Sequence, residues 1–187
     1  MAHEPKVAII GMIFIAILIA ATFIDLDHMI IPDIFSIGGM VLGITLSIII
    51  PEVHGYPQSG LAANWYAWIE AMLGIFVGTS MIYWIATLGE IILKKPAMGE
   101  GDVKFLAAIG AFTGWQGALF SLFGGAFIGT IIILPFLLIR DVMQPNKPKL
   151  KELPFGPFLA LGAIVYFLWL SNFVDAYFAQ IVDIFKF

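Results

Sequence analysis

Two clusters of acidic residues interrupt an otherwise apolar chain, and their side chains could perform acid–base chemistry. The first cluster is Asp25, Asp27 and Asp33, which follow the first long apolar segment. The second contains Asp102, which ends the turn Gly99-Glu-Gly101-Asp102 between two later apolar segments. Ionisable groups at the depth of the membrane are rare and usually functional. The alternative is an ordinary turn between helices, with Asp102 as the N-cap of the second helix.

A pair of carboxylates from the two clusters would suit the hydrolysis of a peptide bond. Two carboxyl groups in a low-dielectric pocket do not both ionise readily, so one keeps its proton while the other stays charged. The charged group can take a proton from an attacking water, and the protonated group can hydrogen-bond the substrate carbonyl. This is the chemistry of an aspartic protease.

Other hydrolytic mechanisms lack their residues in this chain. There is no cysteine, no Gly-x-Ser-x-Gly sequence and no His-Glu-x-x-His sequence, so the usual cysteine, serine and zinc motifs are missing. His28 lies three residues after Asp25 and could join the carboxylates around a metal ion. A single histidine among carboxylates is a weak zinc pattern, and aspartyl chemistry needs no metal. We therefore expect neither a metal nor a cofactor.

The composition is that of an integral membrane protein. Of the 187 residues, 61% are hydrophobic and 12% charged, against about 45–50% and about 25% in soluble proteins. With a net charge of -4 and no basic patch, nucleic-acid binding is not expected. The pattern predicts one all-α polytopic domain over residues 1–187, with membrane lipid around it. About six spans are predicted, at residues 7–24, 34–50, 65–93, 103–115, 117–139 and 154–171.

Three features of these spans leave alternatives open. Residues 103–115 are short for a full crossing, so either the bilayer thins there or Asp102 is recessed. The tail from Phe173 has the spacing of an amphipathic helix at the interface, or it extends the last span. Three pairs of glycines four residues apart favour close helix packing within the bundle over dimerisation faces. They are Gly39/Gly43, Gly74/Gly78 and Gly125/Gly129. No oligomeric state is predicted.

The basic residues predict which end of the bundle faces the cytoplasm. Six spans put two on one side, Lys6 and Lys186, and seven on the other: Lys94, Lys95, Lys104, Arg140, Lys147, Lys149 and Lys151. The richer side is expected in the cytoplasm. Both acidic clusters fall on that side, so they can meet there. Glu52, His54 and Glu70 fall on the opposite side, where we expect them to be solvated. Lys104 could anchor the chain at the interface, or pair with Asp102 or Glu100.

Four segments together resemble the type IV prepilin peptidases, which are membrane aspartyl proteases of the Gly-x-Gly-Asp type. They are Phe23-Ile-Asp25-Leu-Asp27-His28, Ile31-Pro32-Asp33, Met98-Gly-Glu-Gly-Asp102-Val-Lys104 and Pro154-Phe-Gly-Pro157-Phe-Leu-Ala-Leu-Gly162. The resemblance implies that Asp25 and Asp102 are the catalytic pair. It also implies supporting positions at Asp27, Asp33, Gly99, Gly101 and Lys104.

The resemblance further implies a substrate class and a location. The substrates would be prepilins or pseudopilins of type IV pili and type II secretion systems, cut after a glycine that ends a cytoplasmic leader. The enzyme would lie in the bacterial inner membrane with its active site at the cytoplasmic face. Bifunctional members carry an N-terminal cytoplasmic domain that accompanies N-methylation. Only His3-Glu-Pro-Lys6 precedes the first span, so N-methyltransferase activity is not expected.

Three alternative functions remain open. A small transporter or channel would use Asp25 and Asp102 as proton or cation sites, although the acids cluster at one face and no inverted repeat is apparent. A presenilin-like protease would carry its first aspartate inside a span and a Pro-Ala-Leu motif near the end, and neither is obvious. A non-catalytic assembly subunit would require the acids to be structural.

Overall fold

The protein folds as a bundle of helices. The computed structural model describes residues 5–56, 60–94, 98–143 and 154–184. These residues form α1 (Pro5–His28), α2 (Asp33–Ile49), α3 (Leu61–Leu93), α4 (Glu100–Met143), α5 (Gly156–Val165) and α6 (Ser171–Ile184). A 3-10 turn at Pro51–His54 follows α2, and a π turn at Tyr166–Leu170 joins α5 to α6. No strand occurs in the described ranges, which confirms the predicted all-α class.

Several helices can cross a bilayer. Four are long and apolar enough: Pro5–His28, Leu61–Leu93, Glu100–Phe136 and Gly156–Gln180. The helix Asp33–Ile49 is apolar but shorter, at 17 residues, which is near the lower limit of about 17 residues for a span. The chain is therefore a polytopic membrane protein, as predicted.

Two of the predicted spans, residues 103–115 and 117–139, form the two arms of α4, which meet at Gly114. Gly114 leaves the helical conformation, with φ 71° and ψ -177°, in the left-handed region that favours glycine. A side chain at Gly78 would contact both Leu106 and Ala118. Twelve residues of straight helix would separate these two by about 18 Å. The arms of α4, residues 100–113 and 115–143, therefore fold back on each other at Gly114.

The first arm of α4 runs through the centre of the bundle. Residues 105–114 are all buried. Small residues let the neighbouring helices approach this arm closely: a Cβ at Gly43 would lie 2.8 Å from the Cβ of Ala111, and one at Gly74 would overlap the carbonyl of Gly110. The glycine pairs thus pack within the chain, as predicted. Because the arm is held on several sides, its first residues have a defined position.

The tail after residue 171 extends the last span. Helix α5, the π turn and α6 form one continuous helical run, which decides between the two predicted alternatives. Across the π turn, the Tyr166 hydroxyl donates a hydrogen bond of 2.6 Å to Oδ1 of Asp175.

Antiparallel helices bring the starts of α2, α4 and α5 to the same end as the terminus of α1. Ile31, between α1 and α2, lies next to both Gly101 and Gly156. Lys6 lies at the other end, 3.6 Å from Glu52. Five of the lysines behind the predicted sidedness lie outside the described residues, namely Lys95, Lys147, Lys149, Lys151 and Lys186. The orientation therefore stays a prediction.

Candidate active site

The end of α1 places Asp25 inside the bundle. Asp25 is only 5% exposed, which is unusual for an aspartate. The helix closes one turn later, because Met29 takes a left-handed φ of 56° and its N–H donates to the Asp25 carbonyl at 2.9 Å. The chain then crosses the end of the bundle to Pro32, the N-cap of α2. Asp25 therefore lies in a helical turn fixed on both sides by the chain.

The start of α4 places Asp102. The helix begins at Glu100, so Asp102 is its third residue and the alternative that Asp102 is the N-cap was wrong. Its N–H donates to the Gly99 carbonyl at 3.2 Å, and its carboxylate interacts favourably with the Gly99 backbone. An interaction between a side chain in the first turn and the N-cap residue is typical of one half of a capping box. The first turn therefore holds the carboxylate of Asp102.

The two carboxylates share one cavity. Asp25 and Asp102 both line a cavity of about 390 Å³ at this end of the bundle, and their charges interact. Six of the seven predicted site residues line it: Asp25, Asp33, Gly99, Gly101, Asp102 and Lys104. Asp27 does not, because two helical residues turn its side chain about 200° away from Asp25, and it is exposed. The two acidic clusters thus meet, although they are far apart in the chain.

Gly101 allows the segment between α1 and α2 to lie against α4. A Cβ at Gly101 would be 3.4 Å from the Cβ of Ile31 and 3.6 Å from its nitrogen, and Ile31 is 5% exposed. Glycine permits either a left-handed φ or a close backbone approach. Among the described glycines, Gly55 and Gly114 have a left-handed φ, and Gly101 does not. The contribution of Gly101 is close approach, which closes one wall of the cavity.

Lys104 pairs with Asp33 across the mouth of the cavity. Its Nζ lies 2.9 Å from Oδ1 of Asp33, an acid that was not among the possible partners Asp102 and Glu100. Glu100 interacts with Lys104 electrostatically. The side chains of Lys104 and Asp33 are 40% and 62% exposed. The bond joins the first turns of α2 and α4, each of which borders the acidic pair.

Sequence reasoning missed one residue beside Asp25. Gly156, the first residue of α5, lies against the Asp25 carboxylate. It belongs to the segment Pro154-Phe-Gly-Pro157, which is part of the family resemblance but had no predicted function. A glycine followed by proline at a helix start was the only signal available.

A second polar cavity lies at the opposite end of the bundle. It measures about 320 Å³ and its lining includes His54, Glu70, Tyr166 and Asp175. The prediction that His54 is solvated was wrong, since its Nε2 lies 2.8 Å from Oγ of Ser47 and burial lowers the pKa of its ring to about 4. In the described ranges no group of three or more His, Asp or Glu side chains could hold a metal ion.

Comparison with known proteins shows a matching family and related sequences. The type IV leader peptidase family matches residues 12–134. A prepilin leader peptidase/N-methyltransferase of Aeromonas salmonicida (strain A449) is 33% identical over 166 residues, which are 89% of this chain and 51% of that protein. The type 4 prepilin-like proteins leader peptide-processing enzyme of Escherichia coli O78:H11 is 36% identical over 161 residues, 86% of this chain and 52% of that protein.

The chain spans about half the length of the curated relatives it matches. No solved structure matches it. The family match covers both Asp25 and Asp102, together with the turns that hold them. This chain therefore belongs to the type IV leader peptidase family.

Proposed function

We propose that this protein is a membrane-embedded aspartic endopeptidase that removes the leader peptides of type IV prepilins or pseudopilins. The observation that carries the proposal is the shared cavity, in which the buried Asp25 and the helix-capping Asp102 interact electrostatically. Membership of the family supports the reaction class, and the names of the relatives support prepilin-like substrates.

The two carboxylates would divide the work of hydrolysis. One, ionised, accepts a proton from a water molecule while the water oxygen attacks the carbonyl carbon of the scissile peptide bond. The other, protonated, donates a hydrogen bond to the carbonyl oxygen and then supplies a proton to the leaving amine. The water oxygen ends in the new carboxyl group, so no covalent enzyme intermediate forms.

The supporting residues act on this pair through the surrounding structure. The Lys104–Asp33 bond holds the starts of α2 and α4 together at the mouth of the cavity, and Gly101 lets the wall formed by Ile31 close against α4. Asp27 is exposed and faces away. We therefore rank Asp33 above Asp27 among the supporting acids.

The cavity would receive an extended leader while the following apolar helix of the substrate stays in the lipid. The cavity opens at the end of the bundle next to Met29 and Ile30, which are 49% and 64% exposed and offer an apolar contact. We propose that this end faces the cytoplasm of the inner membrane and that cleavage follows the leader glycine. The support is the excess of Lys and Arg predicted on this side.

The test is a cleavage assay with matched variants. The detergent-purified protein is mixed with a prepilin, and the products are identified by gel and mass spectrometry. Removing a catalytic acid or base costs about 10²–10⁴-fold in rate, so Asp25→Asn and Asp102→Asn should each lose at least about 100-fold. Asp27→Asn is the matched control, because it removes an equivalent charge that does not line the cavity.

Near-normal cleavage by Asp25→Asn or Asp102→Asn would refute the two-aspartate mechanism. An absence of cleavage of several prepilins by the unmodified protein would refute the substrate assignment. If the unmodified protein cleaved no prepilin but conducted protons in vesicles, and Asp25→Asn abolished the current, the transporter hypothesis would replace the peptidase hypothesis.

A further inference from the structure

The buried carboxylate of Asp25 lies against the first residue of α5. Its Oδ2 atom is fully buried and has no hydrogen-bond partner within the described residues. Gly156 is the residue beside it. We infer that Gly156 is a positioning residue for Asp25, because its missing side chain makes room for the carboxylate next to the first N–H of α5. This inference rests on the proposed function of Asp25.

The space around Gly156 admits no side chain without moving Asp25. A Cβ there would lie 2.6 Å from Oδ2 and 3.3 Å from Cγ of Asp25, and 2.9 Å from Cδ1 of Ile31. Carbon atoms in contact prefer about 3.5–4.0 Å. Ile31 can turn its terminal methyl away, but Asp25 is 5% exposed and belongs to α1. An alanine would therefore displace the carboxylate from its place beside Asp102.

The start of α5 also leaves a backbone donor next to this carboxylate. The first N–H groups of a helix have no partner within it. Here Phe158 and Leu159 donate to the Phe155 carbonyl, and Pro157 has no N–H. The N–H of Gly156 is left, and it interacts with the carboxylate of Asp25. The partial positive charge of a helix N-terminus favours an anion at this place.

Gly156 thus links α5 to the end of α1. The carboxylate of Asp102 is held by its own turn, whereas that of Asp25 interacts with a backbone donor on another helix. The position of the Asp25 carboxylate then depends on the first turn of α5. This gives the segment Pro154-Phe-Gly-Pro157 a function in catalysis.

The first test is kinetic and compares two glycine-to-alanine changes on α5. Gly156→Ala should lower kcat for prepilin cleavage by at least about 100-fold, in the range of losing one acid–base group, with KM changed by less than about threefold. Gly162→Ala is the control, because its Cβ would meet the Ser121 carbonyl at 2.7 Å and disturb packing away from Asp25. Gly162→Ala should keep kcat within about threefold for the folded fraction. Equal kcat losses in both variants would overturn the inference.

A third variant separates the two contacts of the new methyl group. Ile31→Val removes Cδ1, so the double variant Gly156→Ala/Ile31→Val relieves the contact with Ile31 but not the contact with Asp25. The double variant should stay as slow as Gly156→Ala. Recovery of the wild-type kcat would assign the defect to Ile31 and overturn the inference.

The second test needs no activity and distinguishes failure of this inference from failure of the proposed function. Thermal melts are measured for wild type, Gly156→Ala, Asp25→Ala and the double variant. Removing the Asp25 carboxylate removes the contact, so Gly156→Ala should lower Tm in the Asp25→Ala background by less than half as much as in wild type. Equal shifts in both backgrounds would show that the residues are not coupled, whether or not the wild type cleaves a prepilin.

Discussion

Acidification should destabilise this protein through His54, which lies in the 3-10 turn after α2. Burial lowers the pKa of its ring from 6.5 to about 4. Oγ of Ser47 lies 2.7 Å from the Gly43 carbonyl and 2.8 Å from Nε2 of the buried ring. Because the pKa of the ring is about 4, the folded state holds it neutral near neutral pH. Since the unfolded state binds a proton below about pH 6.5 and the folded state does not, stability falls as the pH falls.

The size of the effect follows from the two pKa values. The stabilisation that His54 contributes is fully present above about pH 6.5 and is lost progressively as the pH falls to about 4. Below about pH 4 no further stabilisation is lost from this group. The difference of about 2.5 pKa units between 6.5 and about 4 corresponds to about 3 kcal/mol over that window. At pH 5 the loss is about 2 kcal/mol. That loss should lower Tm by about 4–8 °C for a chain of this length.

The assay is thermal unfolding in mild detergent from pH 7.5 to pH 4.5, with His54→Gln beside the wild type. Glutamine keeps an amide donor for Ser47 but has no ionisable ring, so the pH dependence of Tm should be shallower in the variant. Glu70 lines the same cavity, and a Glu70→Gln background removes its titration from the comparison. Parallel Tm curves for histidine and glutamine at position 54 would refute this account of His54.

Three further variants test other parts of the structure. Gly101→Ala should be tolerated, because its Cβ would make an ordinary contact at 3.4 Å. Gly101→Val should push the segment between α1 and α2 outward and reduce cleavage by at least about tenfold. Equal cleavage by the two variants would exclude close approach as the reason for a glycine here. Asp33→Lys should impair cleavage, and adding Lys104→Asp should recover part of it, with little change in the free energy of unfolding because both side chains are exposed. Failure of the exchange to recover cleavage would show that the two residues are not coupled. Gly74→Ala should lower the free energy of unfolding by more than about 1–3 kcal/mol, because the new methyl group overpacks the α4 backbone. Gly38→Ala should leave stability unchanged, because the nearest atom is 3.9 Å from its Cβ. Similar melting temperatures for the two variants would contradict the close contact of Gly74 with α4.

Local features of the chain were predictable because their causes lie in short stretches of sequence. The apolar runs predict membrane helices, since each run must satisfy its own backbone hydrogen bonds. The glycine-acid turn predicts a defined position for Asp102, and the structure puts it in the first turn of α4. The placement of both acidic clusters at one end of the bundle also followed, because antiparallel spans place alternate loops at the same end.

The errors concern partners chosen by packing. Lys104 bonds Asp33, which is 71 residues away in sequence, while the sequence suggested an interfacial anchor or a pair with Asp102 or Glu100. His54 was assigned to solvent because it lies in a polar loop, yet the 3-10 turn carries it against Ser47. The separate spans predicted on either side of residue 116 are present as the two arms of α4, but the apolar pattern did not indicate that Gly114 reverses the chain. Each outcome depends on how helices dock.

By itself, the sequence determined that this is an all-α membrane protein with two acidic clusters at one end, since hydropathy and turn chemistry act over a few residues. Only the tertiary structure decided that Asp25 is buried, that Asp102 shares its cavity, that Asp27 faces away and that Gly156 lies against the Asp25 carboxylate. These relations depend on helix rotation and on backbone approaches of a few ångströms. Such distances are set by close packing between segments far apart in the chain.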